Sequence, residues 1–270
     1  MQVIKASGKK EEFKPKKVLG TLLRAGASKK LANEVLEEVE KKVKEGTTTK
    51  EILENTLRLL KNKKPEVGAI YDLKRAIMGL GPTGFPFEKF FAEVLKNYGY
   101  EVQLNRNLKG KFITHEIDII AKKDFTYMVE NKYHGSVGLY TNSKVALYTY
   151  ARFLDLKDKF DYPWLVTNTR LSPKAVKYAK GVNMKVTSWQ YPKNENLRNL
   201  IEKKKLYPIT ILKSVDDSVK VKLFNSKIML VLDLLNYNLE ELIKKTKISE
   251  NISKKILDEA RRIYDVKVGR

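Results

Sequence analysis

Leu19, Leu22 and Leu23, then Leu31, Val35, Leu36, Val39 and Val43, then Ile52, Leu53, Thr56, Leu57 and Leu60 recur at three- and four-residue intervals. That spacing lays each set along one face of a helix. The first of these helices opens at Pro15, a residue suited to a first turn. Ser28 caps the second, Gly46 ends it, and Thr49 caps the third. A fourth runs from Pro65 through Val67, Ile70, Tyr71, Leu73 and Ile77 to Met78. Ahead of them, Val3-Ile4-Lys5 and Glu11-Glu12-Phe13 flank Ser7-Gly8-Lys9-Lys10, which predicts a small hairpin.

The pattern changes after Met78. Residues 79–87 hold three glycines and two prolines, the mark of a boundary or docking loop. Phe87, Phe90, Phe91, Val94 and Leu95 then share a helical face, with Glu88 in the first turn and Gly99 at the close. A strand is expected over Tyr100–Leu104 and a loop over 105–111. Residues 112–134 read as two strands joined by a charged turn, the first carrying Ile117-Asp118-Ile119-Ile120-Ala121 and the second Tyr127-Met128-Val129-Glu130-Asn131-Lys132. A helix from Asn142 to Asp155, a buried strand from Pro163 to Asn168, a helix from Ser172-Pro173 and a return strand ending at Val186 follow. From about 193 the pattern is mostly helical, with 205–224 expected to be extended. Three short helices then rest on Ile228 to Leu235, Leu239 to Ile243, and Ile252 to Ala260.

The hairpin carries the chemistry. Asp118 lies inside a β-branched run, where burial is costly without compensation. Glu130 and Lys132 share a strand face, because side chains alternate with period two. Asp118, Glu130 and Lys132 are all even-numbered, so they share one side of the hairpin if its loop has an odd residue count. A three-residue loop at Lys122-Lys123-Asp124 meets that condition. Two carboxylates and a lysine suit a divalent-metal hydrolase: the carboxylates hold Mg²⁺ or Mn²⁺, and the lysine steers water or offsets charge. The expectation is the active site of a nuclease.

Charge supports that expectation. The chain has 270 residues, with 54 Lys+Arg against 32 Asp+Glu, a formal net charge of +22. The basic excess is shared among segments 1–78, 79–192 and 193–270, so it is no single basic tail. It favours a polyanion, nucleic acid before membrane. There is no cysteine. Disulfides, thiolate zinc sites and thiol catalysis are therefore excluded. The first residues do not read as a signal peptide, and the longest apolar run, Ile228–Leu232, is too short to span a bilayer. A cytoplasmic protein without membrane association is expected.

Two resemblances refine the reading. The hairpin with Val3, Lys5 and Gly8, the following Phe13 and Lys17, and helices with Thr-Thr-x-x-Ile opening the third resemble the ATP-cone over residues 1–78. The resemblance implies that Lys5 and Lys17 meet a triphosphate, with Val3 and Thr49 around the nucleotide, ATP or dATP. Ala6 stands where that family usually has arginine. No Gly-x-x-x-x-Gly-Lys-Ser/Thr loop is present, so sensing rather than hydrolysis is expected. The helix with an early Glu, then a strand, a strand with Asp, and a strand with Glu-x-Lys resemble the Mrr-like PD-(D/E)xK restriction-endonuclease core over 79–192. This looks like a fusion of ATP-cone and nuclease.

That resemblance implies an α/β fold: a mixed sheet flanked by helices, with an N-terminal mostly helical ATP-cone and a C-terminal helical region over 193–270. It also implies Asp118 and Glu130 as metal ligands, Lys132 as the catalytic lysine and Glu88 as an accessory carboxylate and metal ligand. His134, His115 and Lys144 are secondary candidates. The pattern around Lys247-Ile248-Ser249 loosely resembles a helix-hairpin-helix DNA element but lacks its glycine; a dimerising or capping bundle stays open. DNA and nucleotide are the expected partners, with a homodimer as a further expectation. The alternative is a nucleotide-sensing DNA-binding regulator without turnover; action on RNA is a third option.

Overall fold

The structure is a computed structural model that describes residues 1–136 and 138–267. The chain forms two compact units: one combines Met1–Ala76 with the segment from Ile209 onward, and the other spans Ile77–Pro208.

In the first unit, β1 (Gln2–Ile4) pairs antiparallel with β2 (Lys10–Glu12). Helices α1 (Pro15–Arg24), α2 (Lys29–Glu40), α3 (Thr49–Lys63) and α4 (Pro65–Tyr71) follow, then α5 (Leu73–Met78), whose last two residues belong to the second unit. Leu22, Val35, Val39, Leu60 and Ile70 lie on the buried stripes that the spacing predicts, while in α2 Ala32 rather than Leu31 is the fully buried residue of the first turn. The cap of α3 is Thr48 rather than Thr49. Its hydroxyl accepts from Glu51 N (3.1 Å) and the Glu51 carboxylate accepts from Thr48 N (2.7 Å). A capping box needs its Glu three residues beyond the cap, and only Thr48 meets that spacing. The expected fourth helix breaks at Asp72 into α4 and α5.

In the second unit, α6 (Phe85–Asn97) precedes β3 (Glu101–Lys109), β4 (Thr114–Lys122) and β5 (Thr126–Lys132). Then come β6 (Tyr140–Thr141), α7 (Ser143–Asp155), β7 (Tyr162–Thr167), β8 (Arg170–Leu171), α8 (Pro173–Gly181), β9 (Lys185–Thr187) and α9 (Leu197–Lys204). Among the described residues the main sheet runs β3-β4-β5-β7-β9. β3, β4 and β5 are antiparallel neighbours; β5, β7 and β9 are parallel. It is the mixed sheet expected of the α/β class. Two features differ from expectation. β3 continues to Lys109 through Asn105, which takes a left-handed backbone (φ 47°). The β4–β5 turn lies at 123–125, one residue later than expected but still three residues long, which preserves the even-numbered face.

The chain then returns to the first unit with α10 (Asp217–Asn225), α11 (Val231–Leu234), α12 (Leu239–Thr246) and α13 (Glu250–Asp265). Where 205–224 is expected to be extended, a 3₁₀ turn stands at Ile209–Ile211 and α10 begins at Asp217. Val219, Val221 and Leu223 alternate as in a strand, but the Asp216 carboxylate accepts from Val219 N (2.8 Å) and starts a helix. Val219 and Leu223 are buried one turn apart, and Val221 is exposed. α13 packs on α4 and α11. Gly26, at φ 90°, lies so close to Val266 that a Cβ there would collide with its side chain. Among the described residues no helix is long and apolar enough to cross a membrane.

Candidate active site

The β4–β5 ladder runs from Lys122↔Thr126 to Ile119↔Val129 and stops there. Beyond it β5 stays paired with β7 as far as Lys132↔Thr167. The strand thus leaves β4 without leaving the sheet. Where the ladder ends, the Asp118 carboxylate takes the place of a backbone acceptor: its Oδ2 receives Asn131 N–H at 2.7 Å. Asp118 and Glu130 face each other across the hairpin, one step past the last ladder pair. The arrangement follows from the three-residue turn and the period of two.

Neither carboxylate is solvated like a surface acid. Burial pushes the Glu130 carboxyl up to about 7, with the negative charges of Asp118 and Glu88 adding to the effect and Arg152 opposing it. Burial also raises Asp118, against the Asn131 N–H and the Arg152 charge. Glu88, in the first turn of α6, is raised by burial and by the charges of Asp118 and Glu116. Its Oε2 accepts from Asn105 Nδ2 at 3.1 Å, at the left-handed residue of β3. Three carboxyl groups therefore sense one another, as in sites that gather negative charge.

Arg152 supplies the opposing charge, a role the sequence reading left unassigned. It projects from α7, is buried, and donates one N–H to Glu130 and another to the Glu116 carbonyl, inside the gap where β4 and β5 part. Its guanidinium lies 5.5 Å from the Tyr148 ring centroid. A sequence signal existed: Arg152 follows Val145 and Thr149 at i+7 and i+3, so a cation falls on the inward stripe of an amphipathic helix.

The other candidates are placed as follows. Lys132 is exposed at the end of β5, two residues beyond Glu130. Its charge and burial together lower the His134 pKa, burial being the larger cause. His134 is held by reciprocal bonds with Asn168, His134 N to Asn168 Oδ1 (2.9 Å) and Asn168 Nδ2 to His134 O (2.8 Å). Its ring meets Thr141 Oγ1 at 3.0 Å. His115 is buried with its Nε2 2.8 Å from Asp155 Oδ2, in a contact that anchors the β3–β4 connection. Lys144 is exposed in the first turn of α7, which Asn142 caps.

In the first unit, Lys5 and Lys17 converge on one carboxylate, with Nζ–Oε2 distances to Glu11 of 2.6 and 3.4 Å. Hydrogen bonding to Lys5 is the main cause that lowers the Glu11 pKa. Val3 is buried, Ile4 N donates to Thr47 O (3.0 Å), and Ile4 bridges Thr48. β1 is thereby joined to the segment that enters α3, whose first residue is Thr49.

A mixed sheet with clustered half-buried carboxylates is the frame of a restriction-endonuclease-like domain, and the chain carries a small helical domain with paired lysines as well. Family models agree: an ATP cone domain matches residues 1–73, a restriction endonuclease model residues 82–197, and an AF1548-like C-terminal model residues 207–264. The chain belongs to the AF1548-like family. An uncharacterized protein of Archaeoglobus fulgidus is 38% identical over 174 residues, covering 64% of this chain and 98% of that one. The crystal structure of AF1548, a protein of unknown function, is 36% identical with a TM-score of 0.61, covering 67% of this chain and 98% of that one.

Proposed function

We propose that the chain is a metal-dependent DNA endonuclease of the PD-(D/E)xK type whose activity answers to ATP or dATP. The observation that carries this reading is the pair Asp118 and Glu130, half-buried and mutually repelling where β4 and β5 part, with Lys132 two residues on. Among the described residues no three acidic, histidine or cysteine side chains form a ready metal cage. Two carboxylates still suit Mg²⁺ or Mn²⁺, which commonly take one or two protein oxygens and complete the shell with water and phosphate. Asp118 and Glu130 would hold the ion, with Glu88 behind them. The bound ion supplies an acidified water and neutralises phosphate charge. The chain's own residues do the rest. Asn131 N–H fixes the Asp118 carboxylate, Arg152 keeps Glu130 oriented in the gap, and Lys132 offers a cation to the non-bridging phosphate oxygens.

In the nucleotide-sensing domain, Lys5 and Lys17 are the triphosphate ligands, and Glu11 holds both in place until phosphate displaces it. Val3 and Thr49 border the nucleotide. DNA is the polyanionic partner that the charge of +22 favours.

One observation favours a second reading, a nucleotide-sensing DNA-binding regulator without turnover: Arg152 already neutralises Glu130. A cleavage panel decides between the two. Plasmid, linear duplex and single-stranded DNA are incubated in Mg²⁺ or Mn²⁺, with and without ATP, using wild type and Lys132→Ala. Cutting by wild type, reduced at least a hundredfold in Lys132→Ala, is expected. DNA binding with no cutting under any condition favours the regulator.

A further inference from the structure

The connection between β3 and β4 exposes two apolar side chains on a backbone that is held firmly. Phe112 is 78% exposed and Ile113 62%. Their loop closes on itself through Gly110 N to Ile113 O (2.8 Å). Asp155, at the end of α7, then grips it. Its Oδ1 accepts from Phe112 N (2.8 Å), its Oδ2 from Ile113 N (3.2 Å), and its carbonyl from Lys111 N (2.8 Å). His115 Nε2 lies 2.8 Å from the same Oδ2, and this side-chain pair is nearly buried, at 8% and 9% exposure. Gly110 is required for this fit, because a Cβ there would collide with the Asp155 carboxylate.

A nearly buried carboxylate is thus spent on fixing a tip whose apolar side chains are mostly exposed. Folding gains little from an exposed phenylalanine. Binding gains more, because a rigid tip loses little freedom when it meets a partner. The charge around the tip identifies the partner's chemistry. Arg106, Lys109 and Lys111 are exposed, and no acidic residue occurs from 102 to 115. The Lys111 ammonium lies 5.2 Å from the Phe112 ring centroid. An aromatic ring among cations fits a nucleobase between phosphates. The same strand leads from Ile113 to Asp118 in five residues, roughly 17 Å at strand rise. One DNA molecule can therefore reach both.

We propose that the β3–β4 tip is a base-stacking wedge: Phe112, backed by Ile113, stacks on a base at an unpaired or opened step of DNA, while Arg106, Lys109 and Lys111 meet the flanking phosphates. This rests on the nuclease reading for its choice of DNA, but its test needs no cleavage. The full chain is titrated in EDTA with a duplex carrying one bulged 2-aminopurine and with the fully paired duplex. Wild type is expected to bind the bulged duplex roughly tenfold more tightly and to quench its 2-aminopurine. Phe112→Ser loses the preference and the quenching while keeping its affinity for paired DNA, and Phe112→Trp retains both. Phe112→Leu, apolar but unable to stack, behaves like the serine variant.

Equal binding of both duplexes by wild type overturns the wedge, even if the protein cuts DNA in Mg²⁺. A preference for bulged DNA in a protein that cuts nothing upholds the wedge and sinks the nuclease. Two other results also overturn it. One is Phe112-dependent binding to phosphatidylglycerol vesicles with no response from 2-aminopurine. The other is Phe112-dependent self-association in sedimentation, again with no such response.

Discussion

Glu130 is the residue on which the proposed chemistry turns. Its carboxyl titrates at about 7 rather than in the usual carboxylate range, first because it is buried and then because Asp118 and Glu88 are near. The folded form therefore holds a proton that the unfolded chain releases near 4.5, so this group's contribution to stability falls as pH rises from 4.5 through 7. A divalent cation held by Glu130 would reverse that loss by favouring the charged form. Mn²⁺ is thus expected to raise the melting temperature clearly at pH 8 and little at pH 5.5, and cleavage is expected to climb through pH 7 and then level. Glu130→Gln flattens both responses; an unchanged Mn²⁺ shift in that variant would place the ion elsewhere. At the other end of the chain, Glu11→Gln is expected to tighten ATP binding severalfold, since it frees Lys5 and Lys17 from an internal anion. Weaker binding in calorimetry would mean that Glu11 positions the lysines instead of competing for them.

The hairpin was legible because a period of two and an odd turn determine which side chains share a face, and a one-residue shift of the turn left that parity intact. Helices were legible where spacing and caps agreed. They were misread where the signals conflicted: Val219, Val221 and Leu223 look like a strand until Asp216 is recognised as a cap. Arg152 was harder to assign, since its partners Glu116 and Glu130 lie 36 and 22 residues away and only the fold joins them. Two substitutions test these local devices. Thr48→Ala removes the capping box of α3 and costs about 1 kcal/mol. Gly26→Ala adds a Cβ at φ 90° against Val266 and is expected to cost more than the cap, which denaturant melts of the two variants measure.

The whole molecule carries +22 spread over every segment, and its first unit joins residues 1–76 to the segment from Ile209 onward. Nothing local in the sequence marks that union; it rests on contacts such as Gly26 with Val266, separated by almost the full chain. On the proposed function, that charge makes the expected DNA affinity salt-dependent. Six or more phosphate contacts imply a fall of roughly 10³-fold between 50 and 200 mM salt, measurable by anisotropy. A shallow slope would argue against a DNA-binding surface of that size. The central claim is that Asp118 and Glu130 form a metal-dependent phosphodiesterase site. Its most direct test is nicking of supercoiled plasmid at pH 8 in Mn²⁺ by wild type and Asp118→Asn, purified alike and matched in melting temperature. Nicking by wild type that EDTA abolishes and Asp118→Asn lacks is the expected result; equal nicking by both proteins would contradict it.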